Sequence, residues 1–149
     1  HRKLFKENND MKREDLSLLH NDICSRIPYE LKCKIDHGDG DFEIKTLYYV
    51  TSDKVAMFLE DEHEIEHALE DIQPYLYPPC ELPKELAYEY NRLLQKNIEH
   101  KPILLKNNIR IFLNFCFKNH IDVYGLIEKN LAINAAREKL NIYKHEFEK

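Results

Sequence analysis

Glycine is nearly missing from this 149-residue chain, with only Gly38, Gly40 and Gly125 present. Glycine-rich loops that wrap phosphates need several close together, so nucleotide-cradling motifs are excluded. No stretch of about 18 apolar residues occurs and no signal-peptide pattern opens the sequence. A soluble, cytoplasmic protein is therefore expected. The four cysteines, Cys24, Cys33, Cys80 and Cys116, form no C-x-x-C pair. A zinc knuckle or a disulfide framework is not expected from them, and Cys33 and Cys116 fall on apolar faces as buried free thiols do. No G-x-S-x-G elbow is present, and no cysteine has a context that suggests an activated nucleophile.

What is there suffices for one compact domain. Hydrophobic residues make up 43% and aromatics 11%, enough to build a core. Charge is divided unevenly. Residues 1–81 carry 10 Lys/Arg against 19 Asp/Glu, and residues 82–149 carry 12 against 8. The simpler reading is internal docking of a basic half on an acidic half; the other is association between molecules or with an anionic partner.

Leu16, Leu19 and Ile23 recur at helical spacing, so residues 13–25 predict an amphipathic helix that Pro28 ends. His1 to Asp10 are polar and read as a poorly ordered extension, with Met11 as the natural start. Leu31, Cys33 and Ile35 alternate with charged residues as a half-buried strand. Asp36 to Asp41 then form a turn. Phe42, Ile44, Thr46, Tyr48 and Val50 alternate as a second strand, and Val55 to Leu59 make a third, giving an antiparallel meander. Pro74, Pro78, Pro79 and Pro83 read as a linker between residues 11–79 and a helical half, residues 80–149, packed on them as one unit. Leu86, Tyr90, Leu93, Leu94 and Asn97 outline one helix. Ile109, Phe112, Leu113, Cys116 and Phe117 outline a second, read as the most buried element. Asp122 is placed to cap a short helix through Lys129, and Ala135 to Phe147 has helical composition. The predicted fold class is α+β: an N-terminal helix, a small antiparallel sheet of three to four strands that could curl into a barrel, and a helical C-terminal half.

The sharpest motif is His63-Glu64-Ile65-Glu66-His67, an H-E-x-x-H match. On a helix, His63 and His67 would share a zinc ion while Glu64 served as general base. The surroundings weaken it, because Glu60, Asp61, Glu62, Glu66, Glu70 and Asp71 belong on a solvated face and Pro74 limits any helix. Glu85 or Glu89 would have to supply the third ligand. Glu43-Ile44-Lys45 places a carboxylate and an ammonium on one strand face, as in magnesium-dependent nucleases, with Asp36, Asp39 or Asp41 as the partner carboxylate. A cross-strand charged face is the simpler reading. An EF-hand is excluded, because Gly38, Gly40 and Leu47 occupy three of its ligand positions. Basic ground in the helical half, including Lys101, Lys106 and Arg110, could meet phosphates, although the net charge of −5 opposes a dedicated nucleic-acid binder.

Three segments, taken in order, carry a resemblance. They are Arg26-Ile27-Pro28-Tyr29, then Asp71 through Pro78, then Leu113-Asn114 followed by Asp122 through Ala132. Together they resemble a family of small uncharacterised proteins encoded in prophages and other mobile elements of gut Bacteroidetes, over roughly Leu16 to Ala135. The chain departs from the family pattern at Glu30, Gln73, Tyr77, Val123 and Asn130. The family's pattern contains no H-E-x-x-H and transfers no catalytic residues. The resemblance also implies that the residues before Pro74 form the edge of the sheet, as a strand or one helical turn.

The reading that results is a non-enzymatic accessory or interaction protein of a mobile element, binding another protein or itself and needing no cofactor. Tyr48, Tyr49, Tyr75 and Tyr77 are the candidate partner-binding surface. A zinc-dependent hydrolase is the first alternative and a weak nucleic-acid binder the second. A membrane partner is not expected.

Overall fold

The computed structural model describes residues 11–99, 102–139 and 141–143, with side chains described except for residues 98–107. The proposed extension, residues 1–10, lies outside the described residues, as do residues 144–147 of the tail. The fold is α+β: among the described residues, three helices and an open, mixed sheet of six strands. The sheet is larger than the three or four strands expected, and it does not close into a barrel.

Helix α1 spans Arg13–Cys24. Glu14 and Asp15 in its first turn suit the positive end of the helix dipole. Its apolar side buries Leu19 and Ile23 completely. Strands β1 (Lys32–Gly38), β2 (Asp41–Val50), β3 (Val55–Glu60) and β4 (His63–Ala68) follow as an antiparallel meander. Two of the turns are tight pairs with positive φ. Asp39 and Gly40 lie at φ 55° and 79°, and Asp61 and Glu62 at 50° and 68°. Turns of this hand match the twist of the strands they join. A Cβ on Gly40 would touch nothing, so only the backbone conformation favours glycine there.

Strand β5 (Ile72–Leu76) corrects the reading of Pro74 as part of a linker. It pairs antiparallel with β1 and is buried at every position except Gln73, which is partly exposed. Proline has no N–H to give, so it fits only where the ladder asks for none. Pro74 lies opposite Cys33, while β6 (Ile133–Asn134) pairs in parallel only with Tyr75 and Leu76. Strand order is β4-β3-β2-β1-β5-β6, so a segment from the C-terminal half completes the sheet.

One face of the sheet carries the main core. Leu31, Cys33, Ile35, Leu47, Ala56, Phe58, Ile72 and Leu76 meet Leu19 and Ile23 of α1, with Leu69, Leu126 and Leu131. Helices α2 (Lys84–Glu99) and α3 (Pro102–Lys118) pack on each other, Tyr90 against Phe112 at 5.2 Å between ring centroids. Helix α3 is not the most buried element. Cys116 and Phe117 are buried, but Ile109 and Ile111 stay 41% and 49% exposed.

Helix α3 ends in a Schellman turn: Ile121 N–H bonds the Cys116 carbonyl and His120 N–H the Phe117 carbonyl, with His120 at φ 60°. Arg26 fastens this end to α1. Its guanidinium donates to both Asp22 carboxylate oxygens, at 2.7 and 3.1 Å, and to the carbonyl of Ile121 at 2.7 Å. Arg26 and Asp22 are both fully buried. Asp122 receives the Leu126 and Ile127 N–H groups, yet residues 126–130 form turns rather than the expected helix. After the 3₁₀ turn Ala135–Arg137, the chain brings Tyr143 into a second buried cluster with Tyr75 and Tyr77. The Tyr143 hydroxyl donates to the Tyr75 carbonyl and accepts from Lys32 N–H.

Candidate functional site

The H-E-x-x-H match lies on a strand. Residues 63–68 form β4, the edge strand of the sheet. Side chains alternate along a strand, so His63 and His67 point to the core face while Glu64 points to the opposite, open face. Two residues four apart on a strand are about 13 Å apart, too far to share one metal ion. The Glu64 carboxylate instead accepts from Tyr49 Oη at 3.2 Å. Of the proposed third ligands on α2, Glu85 is exposed and Glu89 is paired with Arg92. The zinc-hydrolase reading therefore loses its geometry. Among the described residues, no three His, Cys, Asp or Glu side chains form a metal-binding group.

His67 belongs to a different cluster. Lys45, buried on the core face of β2, donates to Glu60 at 3.0 Å and lies 3.2 Å from Glu43 and 3.3 Å from His67 Nε2. Glu43 also takes His37 Nε2 at 2.8 Å. Burial alone would lower the Lys45 pKa, but its carboxylate partners raise it overall. Burial, then the charges of Lys45 and His37, lowers that of His67. The nuclease-like pair Glu43 and Lys45 does share a face, as the spacing required. Asp36, however, pairs across from Phe42 on the open face and accepts from Gly38 N–H, and Asp39 sits at the hairpin tip. An ammonium already fills the space between the carboxylates, so this is an ion-pair cluster that anchors β2, β3 and β4 together.

The open face is more informative. Lys34, Phe42, Ile44, Met57 and Leu59 lie on it, as the register with buried neighbours shows. Lys34 Nζ stands 4.5 Å over the Phe42 ring. Phe42, Ile44, Tyr48 and Leu59 are 39–48% exposed. Tyr48 and Tyr49 sit at a bulge in β2, with rings 5.0 Å apart edge to face. Of the four tyrosines named from sequence, only these two are available to a partner. Tyr75 and Tyr77 are 1% and 4% exposed, because Tyr143 and its neighbours cover that half of the face. The periodicity of β2 carries the missed signal: Phe42, Ile44 and Tyr48 fall on the uncovered face, and Lys45 and Leu47 are the buried ones.

Of the basic candidates, Arg110 is exposed on α3, Lys101 lies outside the described residues, and so does the Lys106 side chain. Among the thiols, Cys80 is exposed, while burial pushes the Cys116 thiol up to about 12 and that of Cys33 higher still. No helix among the described residues is long and apolar enough to cross a membrane. Comparison with known proteins returns no matching family model, no similar curated protein and no similar solved structure.

Proposed function

We propose that the protein is a non-enzymatic interaction protein whose binding surface is the open face of β2, β3 and β4. The observation that carries this reading is the row of apolar side chains left uncovered there: Phe42, Ile44, Tyr48 and Leu59, each at least 39% exposed. Clustered apolar surface of this kind, rimmed by charge, marks contact sites on otherwise polar surfaces. Lys32 and Lys34 border it on β1, and Glu64 and Glu66 border it on β4. The acidic β4 side chains also protect this edge of the sheet, which pairs with no other strand among the described residues, from indiscriminate pairing, and leave the face as the selective surface. A role within a mobile element rests on the resemblance of the three sequence segments alone.

The test compares binding partners of the native protein with those of Leu59→Asp and Ile44→Asp, each purified folded. Both side chains are solvent-facing, so stability is expected to change by no more than about 0.5 kcal/mol. Loss of the same partners in both variants supports the reading. An unchanged partner set refutes it.

A further inference from the structure

We infer that the open face is occupied by a second copy of this chain, packed face to face about a two-fold axis that runs parallel to the strands between β2 and β3. This rests on the interaction reading and adds the occupant. The argument is the order of chemistry across one row of the sheet. Lys32 pairs with Thr46. The β2–β3 register, Leu47 opposite Phe58, puts Thr46 level with Leu59, and Leu59 pairs with Glu64. The row therefore reads cation, small polar, apolar, anion across β1, β2, β3 and β4. A two-fold axis parallel to the strands exchanges β1 with β4 and β2 with β3 at the same height. It places Lys32 over Glu64 of the other copy, twice, and Leu59 over Thr46. One step along the strands, Met57, paired with Tyr49 and Glu66, comes over Tyr49 of the other copy. A two-fold axis across the strands would instead stack Glu64 and Glu66 on their own copies.

The two partners are ready for this contact. Lys32 Nζ donates to Thr46 Oγ1 at 3.0 Å and, among the described residues, meets no carboxylate. Glu64 is exposed and held on the open face by the Tyr49 hydroxyl. Sheets that pack aligned cross at about 30°, which displaces a pair about 7 Å from the axis by roughly 4 Å, within a lysine's reach. The footprint, four strands wide and about six residues long, is about 400 Å² per copy. Contacts below about 1,200 Å² in total are weak, so the dimer is expected to form and dissociate with concentration in the micromolar-to-millimolar range.

The experiment measures apparent mass by light scattering or sedimentation from about 10 µM to 1 mM at low salt, for the full chain. The wild type is expected to move from monomer to dimer. Lys32→Glu alone and Glu64→Lys alone should each weaken association at least tenfold, since each places like charges together twice. Mixing the two variants should restore it, because a heterodimer then contains two matched pairs. The double exchange should restore self-association as well. A wild type that stays monomeric at 1 mM overturns the proposal, and so does a Lys32→Glu variant that dimerises unchanged or a Glu64→Lys variant that dimerises more tightly. Circular dichroism of each variant checks folding, and if Lys32→Glu does not fold, Glu64→Lys tests the same contact from the other side. A monomeric wild type alongside partner binding that Leu59→Asp abolishes would sink the second copy and spare the interaction reading.

Discussion

Replacing Arg26 with Met is expected to be among the most damaging single changes available. The guanidinium is fully buried and forms two hydrogen bonds to Asp22, one to the Ile121 carbonyl and a longer one, 3.5 Å, to the Cys116 carbonyl, with Phe117 at 5.1 Å. Methionine fills much of the same volume, so the cavity term is small and the electrostatic term dominates. Removing one partner of a buried ion pair costs about 3–5 kcal/mol, because the other charge is left behind. With a urea slope of about 2 kcal/mol per M, the unfolding midpoint should fall by roughly 1.5–2.5 M. Burial already raises the Asp22 pKa, and the Arg26 hydrogen bond and charge work against that rise. Without Arg26 it climbs further. A carboxyl with a raised folded pKa favours the folded state when protonated, so the deficit should be largest at neutral pH and shrink toward the pH range where unfolded aspartate titrates. The companion variant, Arg26→Met with Asp22→Leu, removes both charges and should recover most of the loss. A cost below about 1 kcal/mol for Arg26→Met at pH 7, or no recovery in the double variant, would show that the ion pair does not hold α1 to the end of α3.

Two further outcomes follow from other residues. His67 has a folded pKa below its ordinary value, so its neutral form supports the fold; that support is present above about pH 6.5 and is lost as pH falls through the lowered pKa. Thermal midpoints measured from pH 7.5 to 5 should therefore fall less in His67→Leu than in the wild type, and equal slopes would contradict the role given to this cluster. His120 sits at φ 60° with its ring stacked 3.9 Å from Tyr143. His120→Ala keeps the backbone strain and loses the stack, while His120→Gly loses the stack but relieves the strain. The glycine variant should be the more stable of the two by about 1 kcal/mol in urea titration, and the reverse order would count against the Schellman assignment.

The parts of this fold readable from sequence are those whose period and punctuation agree. Leu16, Leu19 and Ile23 define α1, and Leu31, Cys33 and Ile35 define β1 with its buried side. Strand β4 is harder to read because His63, Glu64, Glu66 and His67 put polar groups on both faces, which period-2 reasoning treats as a charged loop or a helix side. Strand β5 is hidden by Pro74, whose missing donor is harmless only because of its place in the ladder. The two-residue β6 is too short for any periodic signal. For the site, Tyr48 and Tyr49 are legible as exposed aromatics, while Tyr75 and Tyr77 are not separable from them by sequence. What separates them is Tyr143, a contact 68 residues away along the chain.

That same tyrosine has a consequence for how the chain matures. Its hydroxyl ties Lys32 and Tyr75, residues made 111 and 68 positions earlier. During synthesis the meander of β1 to β4 can form while the chain is still short, since each strand pairs with its neighbour. Tyr75 and Tyr77 are then made well before Tyr143, which packs on them in the second buried cluster. At about 5–20 residues per second, that interval lasts roughly 3–14 seconds. A nascent chain thus presents a longer apolar surface than the finished protein does, and Tyr143 is the latch that shortens it.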